Sequence, residues 1–400
     1  MKNIHNSNKP PDFSLVLGGP LFQLLMRLRL TTPALDLLKK RIIFFILFAW
    51  LPLLILSLIE GKAWGGVKMP FLFDMEAQAR FLVALPLLIV AELVVHKQAR
   101  SLVGQFIDRD IITEKQLPKF NALIASAMKL RNSVVIELIL LLLVFAGGPY
   151  LANTVSVIEQ VASGAGSWHA STDGNVASLS MAGYWYIFFS RPLFQFIVYR
   201  WYFRIFIWAR FLWQSSRLDL NLIPIHPDRA CGLGFLAMSG ILFAPLIIAH
   251  GVVFAGLIAN AIFFTGAKFT NFILLILGVV LFVQLIALGP LFVFSPSLMR
   301  AKRNGLRDYG MLASKYVEEF DFKWVRGGAA GDERLVGSSD IQSLADLVNS
   351  FQVIRDIRAF PFDKETAIQV FLFVIIPILP LVLTMIPLEE LIKKFFETIF

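Results

Sequence analysis

The chain has 400 residues, 57% of them hydrophobic, a mean hydropathy of +0.71 and a formal net charge of +9. Soluble domains carry about 45–50% apolar residues, so an ordinary soluble globular domain is excluded. One cysteine, Cys231, leaves no intrachain disulfide and no CxxC or Cys/His zinc site, and no nucleic-acid motif accompanies the positive charge.

Residues 1–12 are polar, with Pro10 and Pro11, and read as disordered. Leu15 to Leu30 reads as an amphipathic helix, either lying in the inner interface or packed under the bundle. The first span, Ile42 to Ile59, follows Lys39, Lys40 and Arg41. No cleavable signal peptide precedes it, so this span is expected to serve as the targeting signal. The second span, Phe81 to Val95, is short and holds Glu92. A basic segment to Arg131 follows, then a third span from Ser133 to Leu151 with Glu137 near its inner end.

No Lys or Arg occurs between Asn132 and Ser190, which places the Gly/Ser-rich stretch Ala162 to Ser180 outside. The fourth span, Met181 to Trp213, carries Arg191, Arg200, Arg204 and Arg210. A turn containing Pro224 and Pro227 leads to the fifth span, Phe235 to Phe263, for which Asp228 is an N-terminal cap. The sixth span is Phe272 to Phe294. Met299 to Thr366 is the largest soluble segment, with helices to Val325 and from Asp340 to Ala359. The seventh span is Ala367 to Ile386, and an amphipathic tail follows outside.

Lysine and arginine concentrate on the cytoplasmic side of membrane proteins. Of the 37 here, 28 fall in the proposed inner segments, counting Arg210 at the inner end of the fourth span with them; Arg191, Arg200 and Arg204 lie deeper in that span and six lie outside. The fold expected is all-α: a polytopic membrane protein of about seven transmembrane helices with a small helical cytoplasmic segment and a cytoplasmic N-terminus. Its parts are 1–41, the N-terminal segment; 42–298, a six-span membrane domain; 299–366, the cytoplasmic segment; and 367–400, the last span and tail. A re-entrant second span would reduce the crossings to six and flip every later orientation, which the charge bias disfavours.

Charged groups at membrane depth are costly and mark candidate sites. Glu92 lies five residues before Lys97, Glu137 six after Arg131 and Arg204 six before Arg210. All three therefore sit roughly 8–9 Å inside the inner boundary. Glu92 or Glu137 is expected to pair with Arg204 or Arg200, as a fixed ion pair or as a proton- or ion-coupling site. Arg191 points away from Arg200 and Arg204, at a depth where no span offers Asp or Glu. Its polar candidates are Gln195, His250 and Gln284; otherwise it snorkels to the outer interface. His250 alone on an apolar helix also fits a hydrogen-bonded core residue.

In the inner turn, His226, Asp228 and Arg229 fall within four residues, as an acid–base or metal pair or as a capped turn. Gly240, Ala244, Gly251, Ala255 and Ala259 form a small-residue stripe that lets helices approach, within the bundle or in a homo-oligomer. Prolines interrupt six spans, as kinks or as the broken helices of transporters. No P-loop, HExxH or nucleophile elbow occurs, and no cofactor is called for.

Two stretches, Pro224-Ile-His-Pro-Asp-Arg-Ala-Cys-Gly-Leu-Gly-Phe235 and Gly337-Ser-Ser-Asp-Ile-Gln-Ser-Leu-Ala-Asp-Leu-Val-Asn-Ser-Phe351, resemble segments of uncharacterised bacterial multi-pass membrane proteins. In those, Gly often stands where this chain has Cys231. The resemblance covers about a tenth of the chain and implies a bacterial inner-membrane location without an activity. Both stretches fall on the inner side and are expected to pack together.

The functional expectation is a channel- or transporter-like protein with a polar intramembrane path. The alternatives are a scaffold acting through 299–366 and a lipid-modifying enzyme at the inner interface. The partners expected are bilayer lipids, anionic ones at the cytoplasmic face, and a second copy of the chain, but no nucleic acid.

Overall fold

The computed structural model describes residues 13–32, 35–146, 166–173, 176–330, 333–335 and 337–385. The polar start, the amphipathic tail, the end of the expected third span and residues 162–165, 174 and 175 of the Gly/Ser-rich connector lie outside these residues.

Helices make up 74% of the structure. They are α1 (Pro20–Arg27), α2 (Leu38–Ile59), α3 (Met75–Asp108), α4 (Leu117–Arg131), α5 (Val134–Ala146), α6 (181–215), α7 (Gly234–Thr265), α8 (Phe269–Val325), α9 (Ser339–Arg355) and α10 (Lys364–Ile375). The described strands are β1 (Ala170–Asp173) and β2 (Val176–Leu179), an antiparallel hairpin pairing Ala170 with Leu179.

Four of these helices (α2, α3, α7 and α8) are long and apolar enough to cross a bilayer, or five counting α10 with its bent continuation. Leucines 142 and 274 are 68% and 80% exposed on α5 and α8. Apolar exposure on this scale marks an interaction surface in a soluble protein. Along α8, a helix of spanning length, lipid is the matching solvent. The chain is a helical membrane protein.

Four expectations about the elements need correcting. The second span is not short: Asp74 caps α3, accepting the Ala77 N–H at 2.9 Å. The polar turns on both sides of the apolar run continue the helix to 34 residues, about 51 Å at the α-helical rise. The sixth span and the first soluble helix are one rod of 57 residues, α8, which passes Gly289 and Pro290 by tightening to a 3-10 helix over Gly289–Phe294 and resumes as α-helix at Ser295. The seventh span is bent by 60° between Ile375 and Leu379, where Pro377 removes a backbone donor. Finally, Leu15–Leu30 is not one helix. Gly18 and Gly19 take φ of 144° and 85°, so only Pro20–Arg27 is helical.

The connections collect at two ends. At the basic end, Ile112 bridges Leu220, and the Arg358 N–H donates to the Arg229 carbonyl at 2.9 Å. At the opposite end, which we call the loop end, the Trp168 N–H donates to the Met69 carbonyl at 3.0 Å and Asn260 donates to Asp74 at 2.8 Å. The small-residue stripe is used inside the chain. A Cβ on Gly251 would lie 2.6 Å from the Val374 carbonyl, and one on Gly240 2.7 Å from Leu288 Cδ2.

Candidate functional site

Two layers of charge lie inside the bundle, both touching α6. The basic-end layer joins five side chains from four helices. Glu92 on α3 receives Arg204 of α6 on one carboxylate oxygen and Arg41 of α2 on the other, each at 2.8 Å. Glu137 on α5 meets Arg200 Nε of α6 at 3.3 Å. Arg204 also lies 4.5 Å from the Trp201 ring centroid, and the Trp201 indole N–H donates to the Leu88 carbonyl at 3.1 Å. Arg200, Arg204 and Glu137 are buried, and Arg41 is 1% exposed. Burial of a guanidinium is tolerable only with a close carboxylate, and charges at one depth in lipid have few other partners. The Glu92–Arg204 and Glu137–Arg200 pairs are those that shared depth predicts.

Arg41 was missed. In the sequence it is the last of three cations flanking a span, with nothing to distinguish it from Lys39 and Lys40. Only the approach of α2 to α3 brings it to Glu92. Three guanidiniums therefore share two carboxylates, and Arg41 Nε finds no acceptor.

The loop-end layer is built differently. Residues 79–84 of α3 and 186–190 of α6 wind as π-helix, a form enriched at functional sites. The two wide turns face each other. Arg80, in one, donates to the Tyr186 hydroxyl, in the other, and pairs with Glu76 one turn away. Its guanidinium carbon lies 6.0 Å from the Tyr186 centroid and 5.8 Å from that of Phe194. Asp74 accepts from Trp168 Nε1 at 2.8 Å, and the His169 ring sits 5.1 Å from Trp168 and 5.7 Å from Tyr186. Burial pushes the His169 proton affinity down; Asp74 opposes this, and the charges of Arg191 and Arg80 add to it.

Arg191 belongs to this layer, and its expected surroundings are corrected in two respects. Carboxylates do reach this end of the bundle: α3 starts six residues before its apolar run, and the charges of Asp74, Glu76 and Arg191 all act on Tyr186. The other candidates are engaged elsewhere. His250 takes the Tyr202 hydroxyl at 2.6 Å and the Leu246 carbonyl at 2.7 Å, as a core histidine. Gln284 donates to the Ala367 carbonyl at 2.9 Å, tying α8 to α10. Arg191 itself is half-buried and makes no hydrogen bond or ion pair with the described residues. A signal for Arg80 was present in its i,i+4 spacing from Glu76; the π-turns left none.

The basic-end turn is a backbone device. Asp228 accepts the N–H groups of Ala230 (2.8 Å), Gly232 (3.1 Å) and Gly234 (2.7 Å), the last opening α7. His226 Nδ1 lies 2.9 Å from the same carboxylate. Burial acts to raise the Asp228 pKa, but these donors outweigh it and hold the carboxyl below its usual range. With its oxygens occupied, Asp228 serves as a cap, and no observation favours the enzyme reading. Arg229 is exposed, 3.9 Å from Asp356, and has φ of 53°. Cys231 has φ of 55°, a left-handed conformation that glycine adopts without strain. The turn meets α9 at its end, through Ile354, Asp356 and Arg358, a few residues beyond the 337–351 stretch. Among the described residues, no three His, Cys, Asp or Glu gather as a metal site.

No family model, curated protein or solved structure matches this chain. The functional reading therefore rests on the two layers.

Proposed function

We propose that the chain is a multi-pass protein of the bacterial inner membrane, of the channel or transporter class, with a polar path along α6. In this reading α5 and α6 cross as well, giving seven spans. The basic end and the N-terminus face the cytoplasm by the positive-inside rule. The observation that carries the proposal is the pairing of π-turns at Arg80 and Tyr186, beside a half-buried Arg191 that has no bonded partner among the described residues. Arg191 and Arg200 are nine residues apart on one helix, about 14 Å at the α-helical rise, so both layers border the same rod. Charges at such depth mark ion or substrate pathways.

The test is proton or ion flux into proteoliposomes containing the full chain. Wild-type protein is expected to pass a flux that Arg191→Ala abolishes while its unfolding temperature is retained. Vesicles as tight as protein-free ones, or an undiminished flux in Arg191→Ala, would reject the proposal.

One observation favours docking of a cytoplasmic protein as a second reading. The α8–α9 hairpin leaves Met311, Phe322, Val325, Ile341 and Val348 exposed beyond the apolar part of α8. Retention of a cytoplasmic protein by the full chain, lost when these are replaced by Ser, is its test.

A further inference from the structure

Residues 13–19, between the start of the described chain and α1, have no regular secondary structure, yet they are among the most deeply buried in the molecule. Phe13, Ser14, Leu15 and Val16 are 0–2% exposed. The Phe13 ring sits 5.1 Å from Phe211 and 5.9 Å from Trp208, both on α6. Irregular backbone inside a membrane bundle is tolerated only where protein or a cavity satisfies its polar groups. Here side chains do so. The Val16 and Leu17 N–H groups donate to Ser14 Oγ at 3.2 and 3.0 Å. His96 Nδ1 of α3 lies 2.9 Å from the same hydroxyl, and Arg131 donates to the Ser14 carbonyl at 2.5 Å.

The segment then reaches the charged layer itself. Glu137 uses one carboxylate oxygen for Arg200 and the other to accept the Leu21 N–H, at 2.9 Å, in the first turn of α1. The chain passes close because residues 18 and 19 are glycines in positive-φ conformations. A Cβ on Gly18 would collide with Asn132 and lie 2.6 Å from Arg131 Nη2, and one on Gly19 would lie 2.9 Å from Glu137 Oε1. Arg200 makes its one ion pair through Nε, so its terminal amino groups have no bonded partner among the described residues.

We infer that residues 13–19 are a removable strap, closing the basic-end charged layer off from the water on that side. No helix or sheet ladder ties it down: each polar contact above joins one side chain to one backbone or hydroxyl group, and water can replace each. Proteins open locally as well as globally, and here opening gives up the packing of Phe13, Leu15 and Val16 without unwinding a helix. Withdrawal would uncover Arg200 and Glu137 and leave the loop-end layer shut. The inference stands apart from transport, because its readout involves no flux.

The test uses the full chain in detergent, with Cys231→Gly as background. Phenylglyoxal modification of Arg200 and of Arg80 is followed by peptide mass spectrometry. A strap variant, Ser14→Cys with His96→Cys, is compared when bridged by a short bis-methanethiosulfonate and when reduced. Arg200 is expected to react at least tenfold more slowly in the bridged form, with Arg80 equal in both. Gly18→Val is expected to speed Arg200 modification at least tenfold over the background and leave Arg80 unchanged. Equal Arg200 rates in bridged and reduced protein would overturn the strap. So would Arg80 accelerating together with Arg200, which reports general loosening. If Gly18→Val does not fold, the bridged and reduced pair decides alone.

Discussion

At the basic end, each arginine of the charged layer has a carboxylate within 3.3 Å, and Glu92 serves two of them. At the loop end, Arg80 is paired, whereas Arg191 has no bonded partner among the described residues. The first arrangement resists disturbance, since removing one member strands another in a medium that cannot solvate it. The second holds a cation in place through the helix that carries it, leaving its side chain available. Charge at membrane depth is thus used in two ways within one bundle: as a clasp between helices and as a group with spare bonding capacity.

The largest expected effect tests the clasp. Glu92→Gln leaves Arg41 and Arg204 without their anion, and loss of one partner of a buried pair typically costs about 3–5 kcal/mol. Thermal unfolding in detergent should show it. Arg191→Ala, which breaks no bond, should cost about 1 kcal/mol or less. Equal losses for the two would erase the distinction between the layers.

A smaller effect is expected just outside the layers. Asp228→Ala orphans three buried N–H donors at the start of α7, at about 1–3 kcal/mol. Hydrogen exchange should rise at Ala230, Gly232 and Gly234 before it rises in α6.

The loop end should also respond to pH, through His169. Its folded proton affinity is depressed, so the unfolded segment binds the proton more readily. The contribution to stability is complete above the unfolded pKa of about 6.5 and falls as pH drops below it. Amide exchange at Trp168 and His169 is expected to accelerate between pH 7.5 and 5.5, and His169→Phe should flatten that slope. A response centred on the basic-end layer instead would reverse the comparison.

The smallest effect is a control on stability outside both layers. Burial, with the Asp228 charge adding to it, pushes the Cys231 thiol up to about 12. At pH 8 its thiolate fraction is then about one in ten thousand, against roughly a quarter for a free cysteine. Maleimide should label native Cys231 at least a hundredfold more slowly than a small thiol, and at an ordinary rate after unfolding.

Much of this was legible in the chain itself. Apolar runs of spanning length dictate helices in lipid, because every backbone group must be satisfied locally. Glu92, Glu137 and Arg204 could be assigned to one level by counting residues from the nearest charged flank, since helical rise is constant. Prolines marked the bend in the last apolar stretch, since a residue without an N–H interrupts the helical ladder.

What folding alone decided concerns residues whose neighbours are distant in sequence. Arg41 and Arg80 stand at span borders like any flanking cation, and become core residues only when α2 meets α3 and α3 meets α6. Phe13 to Gly19 carry no helical or strand period, and only the space between α3, α4 and α6 gives them a fixed place. Local sequence determines which segments coil, because that balance is settled over a few residues. Which charges become buried, and against what, depends on how the rods meet.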